Sequence, residues 1–304
     1  MKLITHSGTF HCDDVLSTAM LKLIYPTAEV IRTRDEEIIK TGDIVYDVGR
    51  IYDVKTNRYD HHQRGFTKTF SDKYTNLCSS AGLVYMEFHE QLFLIFNLKR
   101  DNEFYERIYN EVYEEYFLGV DSVDNGVIHT SNYRIRSICE VVASFNIYDD
   151  EEKQSKRFLQ AVELITIDLS NYLTKKIYFY LNDVTNLINL IKKSDNILIS
   201  DNWVDKNDVV VYEKECNKDI KYIVLNKENK RIYAVPVSKD SFESKVPLKK
   251  EWRGLAGEEL RKVSGIESAI FVHASGFTGG AVELDDALKM CNISLNDLSK
   301  ENSI

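Results

Sequence analysis

Proline is nearly absent from this chain of 304 residues, which holds three. Long segments can therefore run as helix or strand without a forced break. Cysteine is scarce as well, with five residues at 12, 78, 139, 216 and 291 and no C-x-x-C pair among them. An odd, scattered set excludes a disulfide framework and a thiolate zinc site, and it fits a reducing compartment. No apolar run approaches the roughly 18 residues that a membrane span requires, so no membrane partner is expected. Nothing resembling a charged leader with a cleavage site, or an Arg/Ser-rich presequence, precedes Met1-Lys2-Leu3-Ile4-Thr5-His6. The chain as given is expected in the cytoplasm or nucleus. Basic charge is also short, 39 Lys and Arg against 48 Asp and Glu, for a net charge of −9. A protein that grips a long duplex presents a basic face. Here only local patches are on offer, such as Lys245, Lys249, Lys250, Arg253, Arg261 and Lys262. A small or single-stranded phosphate substrate is the better match, the more so if divalent cations neutralise part of the acidity.

What is present reads as globular. Hydrophobic residues make up 43% and charged residues 29%, an ordinary soluble balance. The length suits two domains of about 100–200 residues each. Lys2–His6 has the pattern of a short strand, Asp13–Tyr25 that of a helix stopped by Pro26, and Ala28–Arg32 that of a second strand. Asp35–Lys40 follows as a short helix and Asp43–Val48 as a buried strand. This alternation predicts a parallel sheet with crossover helices. In such sheets ligands bind beyond the carboxyl ends of the strands, where His6 and Asp47 fall. Ser79–Leu98 and Asp101–Phe117 read as helices, and 150–194 has neither Gly nor Pro and carries apolar residues at helical spacing. Beyond it, Asn196–Ser200, Val209–Tyr212, Tyr222–Asn226, Arg231–Val237 and Ala269–His273 read as strands. A turn over Ala274–Gly280 and a helix from about Asp285 to Met290 complete the pattern. The expected fold is α/β: a parallel-sheet domain over 1–150, a helical connector over 151–195, and a smaller α+β substrate-binding domain over 196–304.

Five short segments concentrate the chemistry. Asp60-His61-His62 is the strongest, because three consecutive groups that ionise or ligate metal are costly to hold together. Imidazoles and carboxylates without thiolate suit Mn²⁺, Mg²⁺, Fe²⁺ or Co²⁺ as well as Zn²⁺. Neighbouring side chains point different ways, so His61 and His62 are expected to divide the work between metal and substrate. His6-x4-His11-x-Asp13-Asp14 brings two imidazoles and carboxylates to a helix start, where the dipole also favours phosphate. Read alone it serves equally as an N-cap with locally satisfied histidines. Asp47-Val48-Gly49 closes a buried strand, and the glycine allows close backbone approach to a ligand. Asp121-x-x-Asp124-Asn125-Gly126 is by itself a capping turn, but its carboxylates could bridge or close a dinuclear site. His273-Ala274-Ser275-Gly276-Phe277-Thr278-Gly279-Gly280 could line an anion site with backbone amides. His89 and His129 lie outside these patterns and are read as structural or surface residues.

Together, Thr5-His6-Ser7-Gly8-Thr9-Phe10-His11-Cys12-Asp13-Asp14, Asp47-Val48-Gly49, Tyr59-Asp60-His61-His62-Gln63-Arg64, Val120–Gly126, Trp252-Arg253-Gly254-Leu255 and Val272–Phe277 resemble the melanocyte-proliferating-gene (Myg) family, a branch of the DHH phosphoesterases. The resemblance spans essentially the whole chain. It implies a DHH-type domain, a DHH-associated-like second domain, and a site for two cations, Mn²⁺ or Mg²⁺. It implies 3′→5′ hydrolysis of single-stranded RNA or a short oligonucleotide, with mitochondrial placement for members that have a longer N-terminus. A homodimer is compatible with it. Carried over by position, His6, His11, Asp13, Asp47, His61 and Asp121 are the implied metal ligands. Asp60 orients an imidazole, as metal-bound histidines require, and joins His61 and His62 as catalytic residues. Arg64, Asp124, Arg253, His273, Ser275, Gly276, Gly279 and Gly280 are implied to face substrate. The wider superfamily has H-x-x-x-D-x-D in its first motif, so His11 stands where a carboxylate is usual. Two other readings remain: a phosphohydrolase of pyrophosphate, cyclic dinucleotides or very short RNA, and a non-catalytic scaffold stabilised by metal.

Overall fold

The computed structural model describes residues 1–127, 135–147 and 150–301. His129 lies outside the described residues. The chain divides into two compact units, Met1–Leu181 and Asn182–Ile304.

In the first unit, β1 (Lys2–Thr5), β2 (Glu29–Arg32), β3 (Ile44–Tyr46), β4 (Tyr52–Asp53) and β5 (Arg58–Tyr59) form one sheet in the order β2-β1-β3-β5-β4. The first four neighbours run parallel, and β4 joins β5 antiparallel, so the sheet is mixed rather than wholly parallel. The cause is local: a 3₁₀ turn over Val54–Thr56 and Asn57 at a left-handed φ of 55° reverse the chain into a hairpin, a conformation Asn tolerates. Around the sheet lie α1 (Cys12–Ile24), α2 (Glu36–Ile39), α3 (Ser80–Ile95), α4 (Tyr105–Val112), α5 (Leu118–Asp124), α6 (Ile138–Ala143) and α7 (Glu151–Tyr178). A π-helical turn, Tyr113–Phe117, joins α4 to α5. Every residue of α1 from Cys12 to Leu21 is buried, against α3 and α7 among others. Phe158, Ala161, Ile165, Leu169 and Leu173 give α7 its buried stripe. Phe158 meets Phe10 edge-on at 5.4 Å, and the Arg32 guanidinium lies 4.7 Å from the Phe158 ring. Burying such a ring contributes about 1.5–3 kcal/mol. The helix expected as a connector thus also builds the core of the first unit. His89 is buried beside Tyr109 at 4.2 Å.

The second unit contains α8 (Val184–Lys193), β6 (Ile197–Ser200), α9 (Lys206–Glu215), β7 (Tyr222–Leu225), β8 (Lys230–Ala234), α10 (Gly257–Ser264), β9 (Ala269–Val272), β10 (Thr278–Ala281) and α11 (Leu284–Glu301). Its sheet runs β6-β7-β8-β10-β9, parallel only between β6 and β7. Tyr222, Val224, Ile232, Leu260 and Met290 share its core. The helix α10 was not expected, α11 runs on past Met290, and two segments differ in kind from the sequence pattern. Val209–Tyr212 belongs to α9, started by Asp205 accepting from the Asn207 amide at 2.9 Å. Burial of Val209, Val210 and Tyr212 overrides the weak β preference of a valine run. The glycine-rich segment enters β10 at Thr278, so its end is a strand and not a turn.

Candidate metal centre

His6, Asp47 and Asp60 each occupy the first position after a strand of the parallel set, β1, β3 and β5. Tyr46 pairs with Tyr59 and Ile4 with Val45, so the register carries these residues to one edge of the sheet. Asp47 takes a left-handed φ of 55°, which aspartate tolerates, and Gly49 follows at φ 96°. His6 Nε2 then lies 3.1 Å from Asp47 Oδ2 and 3.3 Å from Asp14 Oδ2. Its Nδ1 lies 3.1 Å from the Ser7 carbonyl and 3.2 Å from Arg34 Nη2.

The loop between β1 and α1 is pinned from the far side of the unit. Asn146 donates to the Phe10 carbonyl at 2.9 Å and accepts from the Phe10 amide at 3.0 Å, while Gln154 donates to the Gly8 carbonyl at 3.1 Å. The His11 amide donates to Asp14 Oδ1 at 2.9 Å, closing the first turn of α1. Asp13 and Asp14 sit in that turn, fully buried, where the helix dipole favours negative charge.

The two histidines of the triplet have opposite surroundings. His61 points inward, its side chain 8% exposed, with Nε2 3.2 Å from Asp124, 3.5 Å from Asp47 and 3.9 Å from Asp13. His62 is 55% exposed, and its Nδ1 lies 2.8 Å from Asp60 Oδ1. Asp60 also accepts from the His62 amide at 3.0 Å and the Arg50 amide at 2.5 Å. It therefore orients His62, which raises the imidazole and holds its own carboxyl below the usual range despite burial.

Asp121 is not brought to this cluster. Its Oδ1 accepts from the Ser79 amide, the Ser79 hydroxyl and the Gly82 amide at 3.0, 2.6 and 3.2 Å, and its Oδ2 from the Tyr113 hydroxyl at 2.8 Å. The carboxylate caps α3, with donors on both of its oxygens. Asp124, one turn later, faces His61 in its place, and Asp14 joins without having been expected as a ligand. The signal for Asp14 was its position three residues after His11 at a helix start.

Four overlapping groups have ligand atoms within 4.8 Å of one another: His6-His11-Asp47, Asp47-His61-His62, His11-Asp13-Asp124 and Asp13-Asp14-Asp47. Asp47 belongs to three of them. Both Asp13 oxygens, Asp14 Oδ2 and His61 Nε2 are buried without an aligned hydrogen-bond partner. Among the described residues no lysine or arginine pairs with Asp13, Asp14, Asp47 or Asp124. Burial and then the Asp47, Asp124 and Asp14 charges push the Asp13 carboxyl well up. Burial raises Asp14 to about 7 against the pull of His6, and it raises Asp124 as well. Of these four carboxyls only Asp47 is held low, since the imidazoles of His6 and His61 outweigh its burial. Crowded, dry carboxylates with orphaned oxygens fit divalent cations, which supply the missing charge and take oxygen and imidazole together.

The remaining expected residues lie elsewhere. Arg64 is exposed just past the triplet. In the second unit, His273 and Ser275 are exposed and bond each other at 3.0 Å, and Arg253 Nε donates to the Leu248 carbonyl at 2.8 Å. Gly279 and Gly280 are buried within β10, paired to β8 and β9. A Cβ on Gly280 would meet the Lys230 carbonyl at 2.7 Å, so close strand packing accounts for that glycine.

A family profile named for the MYG1 exonucleases, and described as an uncharacterised protein family (UPF0160), matches residues 2–295. The chain belongs to this family. It is 34% identical to the MYG1 protein of Dictyostelium discoideum over 323 residues, covering 99% of this chain and 98% of that one. It is 32% identical to the MYG1 exonuclease of Homo sapiens over 326 residues, covering 96% and 85%. The MYG1 protein of Schizosaccharomyces pombe shows 32% identity, covering 97% and 98%. No solved structure was found to match the chain. No helix among the described residues is long and apolar enough to cross a membrane.

Proposed function

We propose that the chain is a metal-dependent phosphodiester hydrolase that trims single-stranded RNA from its 3′ end. The first unit is read as its DHH-type domain and the second as the associated substrate-binding domain. The observation that carries the reading is the convergence of His6, Asp47 and His61 from adjacent strand ends on the buried carboxylates of Asp13 and Asp14, which have orphaned oxygens. His6, His11 and Asp47 would hold one cation, and Asp13, Asp47, His61 and Asp124 a second, either Mn²⁺ or Mg²⁺. When bound, such a pair supplies an activated water and offsets charge on the scissile phosphate and leaving oxygen. His62, exposed and raised by Asp60, is placed to hand a proton or hydrogen bond to substrate. Relatives named as exonucleases support the nuclease class.

End-labelled RNA digested in a panel of metals tests this. His61→Ala and Asp60→Ala should each abolish or sharply reduce release of terminal nucleotides with Mn²⁺; full activity in both would sink the proposal. The net charge of −9 favours a second reading, a hydrolase of very short oligonucleotides or small phosphoesters. Faster turnover of a dinucleotide than of a 20-mer would select it.

A further inference from the structure

We propose that the cavity immediately beyond Asp60-His61-His62 seats the terminal nucleoside of the substrate, an inference that rests on the phosphodiesterase reading above. The cavity measures about 470 Å³ and is walled by residues 63–72 together with Tyr52. That volume lies within the roughly 300–1,000 Å³ of small-ligand sites. It shares a wall with the metal centre, since the ring of Phe66 lies 6.2 Å from that of His61. Tyr52 and Phe66 meet edge-to-face at 5.9 Å, leaving ring surface for a base. Behind them Phe70 is buried and stacked on Tyr113 at 3.6 Å, which gives the cavity a rigid floor.

Two polar features narrow the occupant. Gln63 Oε1 is buried and has no hydrogen-bond partner. Gln63 also lines the cavity, and a turn of its side chain would offer that carbonyl to a base amine or a ribose hydroxyl. Arg64 and Lys68 also line the cavity, and neither pairs with a carboxylate among the described residues, while Asp72 brings one opposing charge. Aromatic walls, one buried acceptor and a positive balance together describe a nucleotide better than bare phosphate, which has no use for the rings. The rings accept any base, and the amide reads only that a donor is there.

Calorimetry with Mn²⁺ present separates these contributions. The probes are a nucleoside monophosphate and inorganic phosphate, titrated into the wild-type chain, Phe66→Ala and Gln63→Leu. The wild type should bind the nucleotide at least about tenfold more tightly than phosphate, the scale of one base–aromatic stack. Phe66→Ala should erase that advantage, and Gln63→Leu should reduce it several-fold, with phosphate affinity unchanged in both. Melting in Mn²⁺ checks the fold of each variant; if Phe66→Ala does not fold, Gln63→Leu and the wild-type comparison decide. Equal affinity of the wild type for nucleotide and phosphate overturns the proposal, as does a variant that weakens both alike. Nucleotide preference without RNA hydrolysis would keep the pocket and discard the phosphodiesterase. RNA hydrolysis with unchanged nucleotide affinity in both variants would do the reverse.

Discussion

Removing divalent cations should make the fold less stable as pH rises, and restoring them should reverse the slope. Asp14 carries the argument, since burial raises its carboxyl from 3.8 to about 7. A folded-state value above the unfolded one means that the native chain keeps a proton the unfolded chain has released. The stability this contributes is complete below about pH 4 and is lost as pH rises to about 7. At 1.36 kcal/mol per pKa unit the whole displacement is worth roughly 4 kcal/mol, and the stretch from pH 5.5 to 7 roughly 2 kcal/mol. Asp13 and Asp124 are shifted the same way by burial. His6 and His62, also raised, lose their contributions in the same direction. For a unit of this size 2 kcal/mol is about 4–8 °C in Tm. A bound cation replaces the protons, and at a thousandfold excess over Kd it adds about 4 kcal/mol. The assay is melting by scanning calorimetry at pH 5.5 and 7.5, in chelator and in Mn²⁺. The expected result is a chelator Tm several degrees lower at pH 7.5 and a larger Mn²⁺ increment there. A chelator Tm that is flat or rises between the two pH values would refute the reasoning, as would an equal increment at both.

Three further outcomes follow from the same geometry. Asp13→Asn should raise Tm in chelator at pH 7.5 while lowering the number of Mn²⁺ ions bound, measured by equilibrium dialysis. Asp121→Ala should do the opposite: orphaning the Ser79, Gly82 and Tyr113 donors costs about 2–4 kcal/mol, and dialysis should find the Mn²⁺ stoichiometry unchanged. Gly82→Ala should destabilise comparably in urea, because its Cβ would collide with the Asp121 carboxylate; a neutral effect would mean that the cap yields easily.

The strand ends were legible because a parallel sheet gathers whatever follows each strand, and the alternation of elements marked β1 and β3 before any contact was known. His61 and His62 were expected to point different ways from their adjacent positions, and they differ in burial, 8% against 55% exposed. Which carboxylate of Asp121 and Asp124 meets His61 was not legible. The two lie one turn apart, and the choice depends on the phase that the helix carries into α5. Val209–Tyr212 misled for another reason, since a short β-branched run reads alike in a strand and in a buried helix. The glycines of β10 looked like a loop because sequence does not reveal that two neighbouring strands leave no room for side chains there.

That phase is set by the π turn at Tyr113–Phe117, which closes its hydrogen bonds one residue later than an α-helix does. Each residue turns an α-helix by about 100°. Losing one codon in this segment would remove the wide turn and leave the downstream phase nearly as it is, whereas losing one from the α-helical turns of α4 would swing everything downstream by that angle. Asp121 would leave the head of α3, and Asp124 would leave His61, with no ligand substituted. A change in length upstream of α5 would therefore rearrange the cluster while every one of its residues kept its identity.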